Sequence, residues 1–230
     1  TNAVAQFAAL ASRYPTNAIA QTAMLWLAGH YSSLGDFARA EEACVSVVTN
    51  AAWQGTVGWY QARLWAAEAA RRRQSLTSAR EQLVTLLNDR STPTNLVPSA
   101  LFALGEILLE QPPAAGQPPL QGFQQALEAF TAAAQYTNFP VAVAALGKMA
   151  DCHLQLASQS TNSYAKADEL YRRVQSSATA DISTRCKAAF GRGVVSEKLA
   201  VAAGESGGGP PGGEALNRYL EVLNGGLLRP

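Results

Sequence analysis

The sequence predicts an all-α solenoid of antiparallel helix pairs, and three observations carry that expectation. Alanine supplies 44 of the 230 residues, and alanine is the strongest helix former. An alanine returns at one register of successive apolar stripes, at Ala3, Ala40, Ala79, Ala126, Ala167 and Ala215, with separations of 37, 39, 47, 41 and 48 residues. Clusters of Gly, Pro and small polar residues punctuate the stripes, where such residues end helices and make turns. A small residue at the crossing point lets two helices approach closely while larger side chains interdigitate around it. One pair cannot bury both of its faces, so neighbouring pairs stack to complete the core. The product is a right-handed superhelix with a concave face.

Each element can be justified in turn. Residues 1–15 read as a half-repeat, with Ala3, Phe7 and Leu10 on one stripe and Pro15 as its stop. The first full pair spans about 18–50: Met24, Leu27, Ala28 and Tyr31 recur at helical spacing, Gly35 and Asp36 break the helix, and Phe37, Ala40, Cys44, Val47 and Val48 form the second stripe. The pair at about 56–89 joins Gly58–Arg73 to Leu76, Ala79, Leu83 and Leu86. The pair at about 97–136 joins Ser99–Gln111, with Leu101, Leu104, Gly105 and Leu108, to Phe123, Ala126, Phe130 and Ala133 across the loop QPPAAGQPPLQG. The pair at about 139–176 joins Val141–Ala157 to Tyr164, Ala167, Tyr171 and Val174 across SQSTN. The last, at about 181–225, joins Ile182–Ala203 to Ala215, Tyr219 and Val222 across GESGGGPPGG. The expectation is one repeat domain over 1–230, a piece of a longer protein because the pattern opens inside a helix.

The segment AMLWLAGHYSSLGDFARAEEACVSVV resembles the tetratricopeptide repeat (TPR). That signature pairs a large apolar residue and Leu-Gly/Ala-x-x-Tyr in the first helix with aromatic-x-x-Ala-x-x-x-aromatic in the second. The chain departs from it at Met24, where the family has Trp, and at Cys44, where the second aromatic would stand. The family repeat is about 34 residues, and the Pro- and Gly-rich loops absorb the excess here. Over 7–48, with Tyr14-Pro15 and a short polar spacer before the helix, the chain is similar to bacterial envelope repeats of the outer-membrane assembly lipoprotein and the Tol-Pal accessory protein. That similarity implies a periplasmic or cell-envelope setting. Chaperone-binding members clamp a terminal carboxylate with Lys and Asn. Leu25 and Gly29 stand at the matching places, so chaperone-tail binding is not expected.

The resemblance also implies that the first helix of each pair lines the concave face. Aligned in this way, the stripe takes Thr22, Leu25, Gly29 and Ser32, then Gln61, Leu64, Glu68 and Arg71, then Ser99, Phe102, Glu106 and Leu109. The candidate partner-binding groove is Gln61, Leu64, Glu68, Arg71, Phe102 and Glu106. The run Arg71-Arg72-Arg73 reads as cations complementing a helix C-terminus, or alternatively as a contact for an acidic peptide. The four tryptophans, Trp26, Trp53, Trp59 and Trp65, read as packing between repeats, and an exposed one would be a partner anchor.

Other chemistry is thinly represented. A net charge of +1 and 48% hydrophobic residues exclude a generic nucleic-acid binder and a disordered chain. No apolar run reaches the roughly 18–20 residues of a membrane span. Cys44, Cys152 and Cys186, with His30 and His153, match no metal-ligand spacing, and no metal or cofactor is expected. His30 reads as facing solvent or the groove. Neighbours on a helix point about 100° apart, so Cys152-His153 reads as two differently facing side chains and not as nucleophile and base. Glu41-Glu42 and Asp168-Glu169 read as a solvated face, and Gly191-x-Gly193 as close helix packing. The sequence therefore predicts a non-catalytic interaction scaffold that binds a peptide or protein in its groove. The alternative is a structural spacer or subunit of a larger assembly.

Overall fold

The computed structural model describes residues 2–113, 116–118, 120–158, 160, 162–202 and 213–223. Among these residues it contains eleven α-helices, one 3-10 turn and no strand. The chain forms two units. Unit 1, Thr1–Gln111, holds α1 (Asn2–Arg13), α2 (Ala18–Ser33), α3 (Phe37–Thr49), the 3-10 turn Ala51–Trp53, α4 (Val57–Arg72), α5 (Leu76–Asn88) and α6 (Val97–Glu110). Unit 2, Pro112–Pro230, holds α7 (Gln121–Ala134), α8 (Val141–Leu156), α9 (Asn162–Gln175), α10 (Ile182–Ala202) and α11 (Gly213–Leu223). Within each unit helices pack on their sequence neighbours. In addition α2 touches α4, α4 touches α6, and α8 touches α10. The first helices of successive pairs thus form a continuous layer inside each unit, and the second helices lie behind them.

Helix boundaries follow from specific caps. Asn17 opens α2 by accepting the Ile19 amide at 2.8 Å, Asp36 opens α3 by accepting that of Arg39 at 3.2 Å, and Thr56 opens α4 by accepting that of Trp59 at 3.2 Å. The α2–α3 turn is a Schellman motif. Gly35 sits at φ +75°, its N–H bonds Ser32 O at 3.1 Å, and the Asp36 N–H bonds Tyr31 O at 2.9 Å.

The recurring alanines mark the core. Ala40, Ala79, Ala126 and Ala167 are buried, at 0–1% exposure. Ala3 is exposed, contrary to its place in the series. Helix α1 turns Val4 and Phe7, not Ala3, onto the core it shares with α2. The side chain of Ala215, the loop Ala114 and most of GESGGGPPGG lie outside the described residues. Gly191 and Gly193 serve close packing: a Cβ on Gly191 would lie near the Tyr171 ring and one on Gly193 near the Tyr219 ring, each 2.4 Å from a ring carbon.

Candidate partner-binding face

The expected groove residues lie on the first-helix layer of unit 1. Gln61, Leu64, Glu68 and Arg71 are on α4, and Phe102 and Glu106 are on α6, which packs beside it; all six are half-buried. Leu64 leans on the core between α4, α5 and α6.

The arginine run behaves differently from a free basic patch. The Arg71 guanidinium contacts Glu68 twice at 3.0 Å, Glu110 at 2.6 Å and Glu106 at 3.5 Å, and its side chain is 13% exposed. Burial alone would lower the Arg71 pKa, but these carboxylates outweigh it and hold the group firmly protonated. Burial would likewise raise the Glu68 pKa, but hydrogen bonds from Arg71 and Arg72 bring it below the usual range. Arg72 bonds Glu68 at 2.7 Å and lies over the Phe37 ring, while Arg73 bonds Glu41. The run does end helix α4, as cations at a C-terminus should. Every member of it, however, is already matched by a carboxylate.

That pairing corrects two further expectations. Glu41 is not on a solvated face, because Arg73 reaches back from the end of α4 and leaves its side chain 15% exposed. Asp168 is also drawn inward: it accepts from Arg192 of α10 at 2.9 Å and from Arg172 at 2.8 Å. Glu42 and Glu169 are exposed as expected.

The tryptophans divide into two kinds. Trp53 and Trp59 are buried; the Trp59 indole N–H donates to Val48 O at 2.8 Å, and the Arg63 guanidinium lies 4.2 Å from the Trp59 ring centre. Trp26 and Trp65 pack against the neighbouring repeat, as expected, yet remain 43% and 40% exposed. They are 39 residues apart, the same separation as Ala40 and Ala79, and so hold one register position in consecutive pairs. Each leans toward the preceding repeat: Trp26 onto Phe7 of α1, with ring centres 4.7 Å apart, and Trp65 toward Gly29 of α2. A Cβ at Gly29 would lie 4.0 Å from the nearest Trp65 atom, an ordinary contact distance. His30 stacks on Trp26 with centres 5.1 Å apart and planes 6° from parallel. The matching spacing was the sequence signal for this pair. Their exposure depends on what the preceding repeat presents.

A cavity of about 430 Å³ opens between α1 and α3 over α2. Met24, Leu27 and Trp53 line its apolar part, and Arg39 and Glu42 also border it. It exists because the facing positions of α1 and α3 carry Ala8, Ala11 and Ser12 against Ala43 and Ser46. It is separate from the expected stripe, and nothing in the periodicity marked it.

No family model and no curated protein sequence matches the chain. Among solved structures, the chain is similar to the one titled "Crystal structure of MamA protein", with a TM-score of 0.57 and 18% identity over 89% of this chain and 90% of that one. The fold is a TPR-like helical solenoid.

In this TPR-like fold two of the three cysteines are core residues. Cys44 and Cys152 are buried, and burial pushes both thiols up to about 12. A thiol held there stays protonated near neutrality and is a poor nucleophile. His153, next in sequence, is half-buried and has its pKa lowered by burial and by Lys166. Its Nδ1 has no hydrogen-bond partner. The adjacent pair does not form a nucleophile and base. Cys186 is half-buried.

Proposed function

We propose that the chain is a non-catalytic scaffold that receives a peptide or loop of a partner protein on the first-helix face of unit 1. The observation that carries this reading is the exposed pair Trp26 and Trp65 on the layer that also holds Leu64 and Phe102. Tryptophan and arginine dominate interface energetics where they occupy the centre of a contact. Arg71, on the same helix as Trp65, is already oriented by three glutamates. A layer of packed helices is ordered before its partner arrives, which spares the entropy of ordering a receptor.

Selection of binders from a random-peptide display library, followed by hydrogen-exchange footprinting, tests this reading. Protection is expected at Gln61, Leu64, Trp65 and Phe102. Protection confined to α3 and α5 would overturn it.

A second reading, a structural subunit of a larger assembly, is favoured by the exposed apolar side chains of α10 and α11, among them Phe190, Val201 and Leu216. It predicts that Phe190→Ser disrupts assembly while Trp65→Ala does not. The similarity of 7–48 to bacterial envelope repeats supports placing the protein in the cell envelope; detection in the cytosolic fraction alone would remove that support.

A further inference from the structure

We infer that the cavity between α1 and α3 is a binding site for a free α-amino acid with an apolar side chain. The inference concerns a surface separate from the first-helix face and does not rest on it. At about 430 Å³ the cavity lies within the roughly 300–1,000 Å³ usual for small-ligand sites. Leu27 and Trp53 are buried in its apolar part, beside Met24, a flexible thioether that stands where the repeat family carries the larger Trp. Alanine at positions 8, 11 and 43 leaves room there for a side chain of the size of Leu or Phe. The Trp53 indole N–H is buried and has no hydrogen-bond partner, a bond that the fold leaves unmade in the wall of the cavity.

The rim supplies two opposite charges. Arg39 and Glu42 both border the cavity, and both are exposed. They stand three residues apart on α3, which makes them neighbours on one helix surface. They do not neutralise each other. Arg39 pairs instead with Asp36, through Nε at 3.5 Å, and its guanidinium lies over the Tyr31 ring, 5.6 Å from the centre. That pairing leaves the two Nη groups for a ligand carboxylate. Glu42 makes no ion pair among the described residues. A ligand that carries one carboxylate and one ammonium on an apolar body answers all three features: carboxylate to Arg39, ammonium to Glu42, side chain against Met24, Leu27 and Trp53. A residue inside a peptide has neither charge at its α-carbon. A simple apolar acid brings its carboxylate next to that of Glu42 with no ammonium to offset it, a like-charge approach that costs binding free energy. Both charges sit at an exposed rim, so each adds a modest factor and the apolar body carries most of the affinity.

L-Phenylalanine is the probe, titrated into the whole chain and followed at the Trp53 indole N–H resonance, which Trp53→Phe identifies by its loss. It should shift that resonance saturably. Phenethylamine, which lacks the carboxylate, and hydrocinnamate, which lacks the ammonium, should each bind about threefold more weakly. Glycine, which lacks the apolar body, should bind at least about tenfold more weakly. Each charge variant should act on one head of the ligand. Glu42→Gln should weaken L-phenylalanine about threefold and leave hydrocinnamate no weaker than before. Arg39→Gln should weaken L-phenylalanine about threefold and leave phenethylamine unchanged. Ala8→Leu and Ser46→Leu, at exposed positions on the two walls, should fill the cavity and abolish binding while circular dichroism shows the helices intact. The inference is overturned by the absence of a saturable shift with L-phenylalanine, or by binding that survives both wall substitutions. It is equally overturned if hydrocinnamate or N-acetyl-L-phenylalanine amide binds as tightly as L-phenylalanine, because the cavity would then read an apolar body alone.

Discussion

Two turns in unit 1, 39 residues apart, solve one problem with different chemistry. Between α2 and α3, Gly35 takes the left-handed conformation at φ +75° and Asp36 caps the next helix. Between α4 and α5, Gln74 takes it at φ +63°, and Ser75 makes no side-chain cap. The hydrogen bonds are the same: the Gln74 N–H reaches Arg71 O at 2.9 Å and the Ser75 N–H reaches Ala70 O at 2.8 Å. Turn geometry is therefore imposed by the packing of the pairs, and local residue preference follows where it can. The second turn carries a residue poorly suited to its backbone, because the left-handed conformation costs a non-glycine residue about 1–2 kcal/mol.

The sharpest way to break the comparison is to attack the packing that both turns depend on. Ala40→Leu and Ala79→Leu should each destabilise by about 1–3 kcal/mol through overpacking, measured by urea denaturation. A large effect at one and none at the other would mean that the two pairs are not equivalent. Next, Gly35→Gln, which copies the second turn into the first, should cost about 1 kcal/mol. Asp36→Ala should cost a similar amount, about 1 kcal/mol, by removing the cap. The reverse exchange, Gln74→Gly, should stabilise by about 0.5–1 kcal/mol, the relief of the left-handed strain less the entropy of a freer unfolded chain. Smallest is Ser75→Asp, expected to add about 0.5 kcal/mol at the α5 N-terminus. If Gln74→Gly destabilised the protein, the glutamine side chain would have a role that its backbone geometry hides.

The repeat was legible because its signals are local. The alanine register, the Gly35-Asp36 break and Pro15 each act within a few residues, so the helices fell close to where the periodicity placed them. Even the second turn was legible by its position, although Gln74 is no helix breaker, because Arg73 and Leu76 bracket a change of stripe. Ala3 shared the register but not the burial, since burial needs a crossing helix as well as a small side chain. The face was less legible for the same reason. The partners of Arg71 could not be read because Glu106 and Glu110 belong to a helix 35 residues further along the chain. Their i, i+4 spacing on α6 brings both to it only once α4 and α6 are side by side. Trp65 looked like a core residue because nothing near it in sequence says that its neighbour across the layer is Gly29.

The placement of two residue types gives the molecule a built-in ruler. All four tryptophans fall in unit 1, and the half-buried Cys186 falls in unit 2, while burial keeps the Cys44 and Cys152 thiols protonated. A maleimide acceptor dye should therefore attach selectively at Cys186. Resonance energy transfer from the native indoles to that dye then reports the separation of the two units, without a single engineered residue, and does so with and without a bound peptide.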